Sequence, residues 1–334
     1  MVKWSIGITG GSGFIGSSLT EHFKRFSNVR VLDVKPPSHG LKEGVEFRSC
    51  DIRNFSEVKH ELETMDLVIH TAIVQIPLIN EARRLGYETN ILGTQNICEA
   101  VNESPSVKGM ILAGSWHTIG ERELKGVITE EFGFRPDKVE DRARLYVLTK
   151  IAQESIVRFY SEMSSKIYGV IRMGTVLGDG MPEKTVANMF IDNGLKGKPL
   201  TPYKHSMYRP MLYVDLNDIC KAFEAFATGI LDGKIKKESD SLAHVINVFY
   251  PTPTTVLEMA EIVKNSIIKN TNNKIKPKIE IVDTGHPSLF TKIDKTLFKV
   301  DVNKALNFLG LKLTSPKKSI ETIVKTRLSK SLSS

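Results

Sequence analysis

The sequence predicts an α/β fold: a doubly wound parallel sheet with a smaller C-terminal α/β lobe. Two observations predict it. Short, apolar, often β-branched runs alternate with segments of helical spacing through the first half of the chain. A glycine-rich turn stands where the first run meets the first helical segment. Strands alternating with helices imply βαβ units and a parallel sheet covered on both faces.

The strands are expected at Ser5–Thr9, Val29–Asp33, Val45–Phe47, Leu67–Thr71, Gly109–Ala113 and Tyr168–Arg172. Helical spacing fills Ser17–Phe26, Ser56–Glu63, Asn90–Val101 and Tyr146–Met163 between them. After Gly174 the rhythm loosens, and Gly and Pro become frequent from Gly178 to Pro210. Later come a helix at Asp215–Ala227, a strand at His244–Val248, a helix at Thr254–Asn265, a strand at Lys278–Val282 and a last helix at Ser319–Leu328. The division expected is a first domain over 1–174 and a smaller substrate-binding lobe over 175–328, with late segments able to return to the first domain. Ser329–Ser334 reads as a frayed tail.

Composition bounds the function. The chain has 334 residues, 41% of them hydrophobic, enough for a large core, and a charged fraction of 25% is that of a globular protein. Forty-six Lys and Arg against 38 Asp and Glu give a net charge of +8, a mild bias toward anionic ligands rather than the dense basic patch of a nucleic-acid binder. Cys50, Cys98 and Cys220 lack metal-ligand or disulfide spacing, so no metal is expected and a reducing compartment fits. The start, Met1-Val2-Lys3-Trp4, runs straight into a strand without a cleavable leader. The longest apolar stretch, Leu67 to Ile79, is broken by His70, Thr71, Gln75 and Pro77 and is too short to span a bilayer. A cytoplasmic protein with no membrane contact is expected.

Gly7-Ile8-Thr9-Gly10-Gly11-Ser12-Gly13-Phe14-Ile15-Gly16 closes the first strand and opens the first helix. Gly10, Gly13 and Gly16 let the backbone turn tightly and approach a diphosphate without a Cβ in the way. The helix N-terminus offers free N–H groups and a partial positive charge to that diphosphate. Asp33 ends the second strand about 20 residues on, as a Rossmann-type dinucleotide site requires. Its carboxylate can accept hydrogen bonds from the adenosine ribose and would repel a 2′-phosphate. NAD is therefore favoured over NADP, although Lys35 lies two residues on.

Tyr146 and Lys150 are four apart and share one helical face. A phenol is a poor base at neutral pH; a neighbouring ammonium and the positive nicotinamide of NAD favour the phenolate. It can then take a proton from an alcohol while hydride leaves the same carbon. Ser115, after the run Leu112-Ala113-Gly114, can hydrogen-bond the same substrate oxygen.

With these residues in view, the sequence resembles the extended short-chain dehydrogenase/reductase family, in its NAD-dependent sugar epimerase/dehydratase branch. The resemblance is carried by Thr9 to Gly16, Ser115, and Tyr146 with Lys150, and it spans roughly residues 4 to 325. Other segments agree. Asp51 with Ile52 resembles the adenine-contacting segment. His70-Thr71-Ala72 resembles the turn beneath the pyrophosphate. Asn90-Ile91-Leu92-Gly93-Thr94 matches the family's Asn-x-x-Gly-Thr helix start. Ile171 to Gly178 matches its Arg-x-x-Asn-x-Tyr-Gly loop in part. Arg209 to Asp215 resembles the strand that carries a nucleotide-diphosphate-binding Arg. The resemblance implies a tightly held NAD that oxidises a sugar hydroxyl. A 4-epimerase returns the hydride to the opposite face, a dehydratase eliminates water in between, and a dehydrogenase releases ketone and NADH. It also implies a homodimer paired through the helices after Asn90 and at Tyr146.

The chain departs from the family pattern at several places. Trp116 and His117 follow Ser115 where 4,6-dehydratases commonly carry acidic residues, which disfavours that reaction. His117 stands where 3,5-epimerising members carry a Cys; it is open to acid–base catalysis, substrate contact or packing. Thr175 replaces a substrate-contacting Asn, and Leu177 replaces a Tyr. Arg142 and Arg144 lie in a charged stretch and face either an anionic substrate or solvent. Arg209, with Lys204 and His205 nearby, either grips a diphosphate or forms an ion pair.

Three functions compete. The first is an NAD-dependent sugar-nucleotide epimerase acting at C4 of a nucleotide-diphosphate hexose, with Ser115, Tyr146 and Lys150 as catalytic residues and Ser115, His117, Thr175 and Arg209 on the substrate. Gly10, Gly13, Phe14, Ile15, Gly16, Asp33, Asp51, Ile52, Thr71, Ala72 and Asn90 are its expected cofactor contacts, together with Tyr146 and Lys150. The second is a dehydrogenase or reductase of a sugar, sugar acid or small alcohol. The third is a non-catalytic dinucleotide-binding scaffold or RNA binder, against which the intact Ser115, Tyr146 and Lys150 argue.

Overall fold

The computed structural model describes residues 3–37, 40 and 43–333. Seven strands form one sheet: β1 Ser5–Thr9, β2 Asn28–Asp33, β3 Val45–Ser49, β4 Leu67–His70, β5 Gly109–Ser115, β6 Ile167–Met173 and β7 Val245–Val248. All pairings are parallel, in the order β7-β6-β5-β4-β1-β2-β3. The order reverses between β1 and β4, and ligands of such sheets bind at the carboxyl ends of the strands there.

Side-chain alternation divides the core in two, because successive strand residues point to opposite faces. Ile8, Ile69, Ile111, Ile171 and Ile246 pack on one side with Phe223 and Phe226. Val68, Met110, Leu112, Val170 and Val245 pack on the other with Val58, Leu62, Ile97 and Val157. Both faces of the sheet are thus covered, which is why its strands read as continuous apolar runs. The helices on these faces include Phe14–Phe23, Phe55–Leu62, Gly93–Glu103, Arg144–Met163 and Leu216–Leu231.

The late strand does return to the main sheet: Val245–Val248 pairs with β6. The remaining C-terminal segments form a smaller α/β layer. Thr175–Leu177 pairs with Tyr213–Asp215, and Pro210–Met211 pairs with Thr254–Thr255. The helices Val186–Leu195, Val256–Asn270 and Pro316–Ser333 cover them. Thr255 and Glu258 close a capping box at the start of Val256–Asn270.

Three expectations are corrected. Lys278–Val282 is no regular strand; it touches its neighbour through the isolated bridges Leu200–Ile279 and Tyr203–Val282. Pro202, lying between the two bridged residues, has no N–H to continue the ladder. The segment at Asn90 opens with a wider π-type turn over Glu88–Leu92 before the α-helix Gly93–Glu103. The last helix continues through the segment read as a frayed tail, to Ser333; Ser334 lies outside the described residues. No helix among the described residues is long and apolar enough to cross a membrane.

Candidate active site

In the turn after β1, Gly10 and Gly16 meet backbone where a side chain would stand. Gly10 has φ of 67°, and a Cβ on it would lie 2.5 Å from the Ala72 nitrogen. Its N–H donates to the Leu32 carbonyl over 2.8 Å. Gly13 is exposed and is the N-cap of Phe14–Phe23, with no side-chain cap. The leading N–H groups of that helix therefore stay available to an anion, and Phe14 and Ile15, both half-buried, open it. Thr71 fastens the β4 end to the turn, its hydroxyl donating to the Thr9 carbonyl at 2.7 Å.

Asp33 lies at the tip of β2 and accepts from the Ser12 N–H at 3.1 Å and the Lys35 N–H at 3.3 Å. Its carboxylate is thereby fixed beside the glycine turn, where a ribose would lie. Asp51 is tied to Arg53, whose hydrogen bonds hold the carboxyl below its usual range. Ile52 next to it is buried. A cradle that a Cβ would fill, an uncapped helix end and a carboxylate at the second strand tip together fit a dinucleotide with free ribose hydroxyls.

Asn90 has another part. It is fully buried, its oxygen accepts from the Val74 N–H at 2.7 Å, and its amide donates to the Val74 carbonyl and the Thr149 hydroxyl. Its polar atoms serve to hold the loop after β4 against the Arg144–Met163 helix.

Ser115 is the last residue of β5, and Tyr146 and Lys150 stand near the start of Arg144–Met163. Ser115 stands near the Tyr146 phenol. Burial pushes that phenol up to about 12, with Ser115 pulling it partly back. The Lys150 ammonium donates to the Ala113 carbonyl at 2.8 Å, and burial pulls it down to about 7. Nearby, His70 bridges Thr9 and Thr94, and burial, with the Lys150 charge, pulls it down to about 3, so it stays neutral.

His117 lies in a short turn, Trp116–Ile119, capped by the Ser115 hydroxyl. Its Nδ1 lies 3.2 Å from Ser115 Oγ, and its Nε2 lies 3.1 Å from Glu121 Oε1. Burial works to raise the Glu121 carboxyl, but the His117 bond and the charges of Arg209 and Arg142 outweigh it and hold it near about 2. Thr175 does not reach this group directly; its hydroxyl accepts from Trp116 Nε1 at 3.2 Å and supports the ring beside His117.

Arg209 is buried and pairs with Glu140, with Glu121 Oε2 3.7 Å away. The ion pair left open by the sequence is present, yet the guanidinium also lines a cavity of about 740 Å³ with Arg142, Phe190, Tyr203, His205 and His286. Arg142 faces this cavity and bonds Glu140 at 2.7 Å, while Arg144 pairs with exposed Asp141. Lys204 pairs with Asp283. Ser115 and Tyr146 do not line the cavity; Glu121, between His117 and Arg209, connects the two regions. Glu121 and Glu140 were missed in the sequence. The one local signal was the spacing of four between His117 and Glu121.

Comparison with known proteins places these observations. A Methanocaldococcus jannaschii protein provisionally named a UDP-glucose 4-epimerase is 27% identical over 271 residues, 78% of this chain and 81% of its own. The uronate dehydrogenase of Pseudomonas putida is 29% identical over 177 residues, 53% of this chain and 61% of its own. The structure of MoeE5 with UDP-glucose and NAD superposes with a TM-score of 0.76 at 21% identity, over 97% of this chain and 99% of that one. That likeness bears on the fold. The sequence profile of the NAD dependent epimerase/dehydratase family matches residues 6–236. The match runs through every segment that builds the glycine turn and the Ser115 and Tyr146 region, and the chain therefore belongs to this family, as an NAD-dependent enzyme of the extended short-chain dehydrogenase/reductase type.

Proposed function

We propose that the chain is a sugar-nucleotide epimerase acting at C4 of a nucleotide-diphosphate hexose by transient oxidation, with Tyr146 as base. The observation that carries this reading is the placing of Tyr146, near the start of Arg144–Met163, beside Ser115 at the carboxyl end of β5, where the serine acts to lower the phenol. It lies on the same sheet edge as the glycine turn, so an alcohol carbon set there faces the nicotinamide end of a dinucleotide. When bound, the nicotinamide supplies acceptance and return of hydride. Tyr146 takes the alcohol proton, and Ser115 donates to the oxygen as charge develops on it. Gly10, Gly13, Phe14, Ile15, Gly16, Asp33, Asp51, Ile52, Thr71 and Ala72 hold the cofactor. The region 175–328 serves as the substrate lobe, and Arg209 at the cavity wall receives the diphosphate.

The second reading is a net dehydrogenase of a sugar or sugar acid, which the relationship to uronate dehydrogenase favours. Two further expectations join the first. Leu148, Phe159 and Met163 are exposed along one face of Arg144–Met163, with Leu92 exposed at the neighbouring helix, which supports a homodimer paired through these helices. Three buried, unpaired cysteines support a cytoplasmic setting.

The test starts from the purified protein. It is denatured, its released nucleotide identified, and fresh enzyme is incubated with UDP-, GDP- and dTDP-sugars while NADH absorbance is followed. Bound NAD and isomerised product without lasting absorbance establish the epimerase. Steady NADH growth on any alcohol makes it a dehydrogenase. Tyr146→Phe is expected to abolish turnover and keep NAD binding; near wild-type activity removes Tyr146 as the base.

A further inference from the structure

We propose that Glu140 is a displaceable counter-ion at the cavity beside Arg209: it pairs with Arg209 and Arg142, gives both up to a substrate diphosphate, and so sets how tightly the cavity holds that substrate. This rests on the reading of Arg209 as the residue that receives the diphosphate. Arg209, Arg142 and Glu140 all line the cavity. One Glu140 oxygen pairs with Arg209 Nη1, and the other accepts from Arg142 Nε at 2.7 Å. Glu121 stands behind, its Oε2 3.7 Å from the same Arg209 Nη1. Two guanidinium groups thus face two carboxylates, and their charge is matched by the protein itself. A diphosphate meets no surplus positive charge on them unless one carboxylate gives way.

Glu140 is the one placed to do so. Its side chain is 14% exposed, against 2% for Glu121. Glu121 is also held on its other oxygen, 3.1 Å from His117 Nε2. Glu140 lies between two short turns, Pro136–Lys138 and Asp141–Ala143, outside any long helix or strand. The backbone on either side of it is fixed. The Val139 carbonyl accepts from Arg122 Nη2 at 3.1 Å, and the Arg142 carbonyl accepts from Asn80 Nδ2 at 2.9 Å. Val139 and Ala143 pack with Val147 in a small buried cluster. Release is therefore a rotation of one side chain between rotamers, with the segment staying in place.

This release strands no buried charge. A buried guanidinium without a counter-charge is costly. Arg209 is only 6% exposed, but Glu121 Oε2, buried and without a hydrogen-bond partner, remains beside it when Glu140 turns away. Arg209 Nε is likewise buried with no hydrogen-bond partner, so the pairing with Glu140 leaves one donor of the guanidinium unmet. A diphosphate carries oxygens on two phosphorus atoms. It can engage Arg209 and Arg142 together, where the single Glu140 carboxylate bridges them.

The test is calorimetric titration of UDP, which has the diphosphate and no sugar to react, into the full-length protein with its bound cofactor. Glu140→Gln keeps the shape and removes the charge. It should bind UDP about 10-fold more tightly than wild type, the scale of a hydrogen bond to a charged group. Equal or weaker binding overturns the proposal. Asp141→Asn is the control for a general field effect, because Asp141 also lines the cavity but is exposed and pairs with Arg144. Its UDP affinity should stay within about twofold of wild type. A gain equal to that of Glu140→Gln overturns displacement as the cause. Where Glu140→Gln fails to fold, Glu140→Asp draws the carboxylate back by one methylene and carries the same expectation and the same refutation. Arg209→Lys decides the reading beneath. Weaker UDP binding there, with the gain in Glu140→Gln, supports both. Weaker binding there without that gain refutes the counter-ion and keeps Arg209 on the diphosphate. Unchanged binding in Arg209→Lys removes Arg209 from the diphosphate and the proposal with it. UDP binding to neither wild type nor Glu140→Gln has the same consequence.

Discussion

Gly16 lies directly beneath Gly10: a Cβ on Gly16 would stand 2.2 Å from the Gly10 carbonyl oxygen. That oxygen is backbone and accepts the Gly13 N–H at 3.0 Å, so it has little freedom to retreat. Gly16→Ala should therefore shift the turn itself, lowering stability by about 1–3 kcal/mol and weakening NAD binding. Gly13 is the contrast. A Cβ there meets only the Gly10 oxygen, at 3.3 Å, and the residue is exposed. Gly13→Ala should leave stability within about 0.5 kcal/mol of wild type while still weakening NAD, because its methyl group enters the space of the diphosphate. Denaturant unfolding and cofactor titration separate the two; equal effects of both substitutions on stability would contradict this account of the turn.

Asp33 is pinned by the Ser12 N–H before any ligand arrives. A carboxylate held there favours ribose hydroxyls and repels a 2′-phosphate. Asp33→Ala should weaken NAD about 10-fold, the scale of a charged hydrogen bond, and narrow its advantage over NADP. Titration of the stripped protein with each nucleotide measures both. An unchanged preference would remove Asp33 from the cofactor site.

The parts of this architecture that were legible in the sequence are those set by local pattern. Apolar runs with β-branched residues gave the buried strands, and the glycines of residues 10 to 16 gave the turn, because both are dictated within a few residues. What was not legible depends on where side chains end. The spacing of Tyr146 and Lys150 sets one helical face, yet it does not reveal that the Lys150 ammonium reaches back to Ala113. Glu121 returns toward His117 only because Gly120 takes φ of 80° after the short turn, a reversal that helical spacing does not express. The Arg209–Glu140 pair joins residues far apart in the chain, and the broken pairing of Lys278–Val282 depends on Pro202 in another segment.

Arg172 and Glu154 form a second buried ion pair, apart from the proposed chemistry. Arg172 Nη2 lies 2.6 Å and Nε 2.9 Å from the Glu154 carboxylate, and both residues are almost wholly buried. Arg172 Nη1 donates to the Glu130 carbonyl at 2.9 Å. Glu154→Gln removes the counter-charge and leaves the arginine in place, so it should destabilise the protein by about 3–5 kcal/mol. Replacing both, Arg172→Met with Glu154→Leu, should recover most of that loss, because no uncompensated charge remains. Denaturant unfolding of the three variants tests this, and a double variant as unstable as the single one would show that the pair itself supplies the stability.

Lys150 gives a pH dependence whose sign is fixed by its burial. In the folded protein its ammonium is pulled from an ordinary 10.5 down to about 7. Between those values the unfolded chain binds a proton that the folded chain does not. Stability then rises with pH across that window, and the penalty is fully present below about 7. Lys150→Met removes the proton and with it this contribution. Melting temperatures of the cofactor-free protein, taken at about pH 7 and about pH 9, should climb for the wild type relative to Lys150→Met. The substitution should also abolish turnover if the ammonium is needed beside Tyr146 once the cofactor is bound. Parallel melting profiles for the two proteins would mean that Lys150 stays charged in the fold, held by Ala113 and its surroundings more strongly than its burial implies.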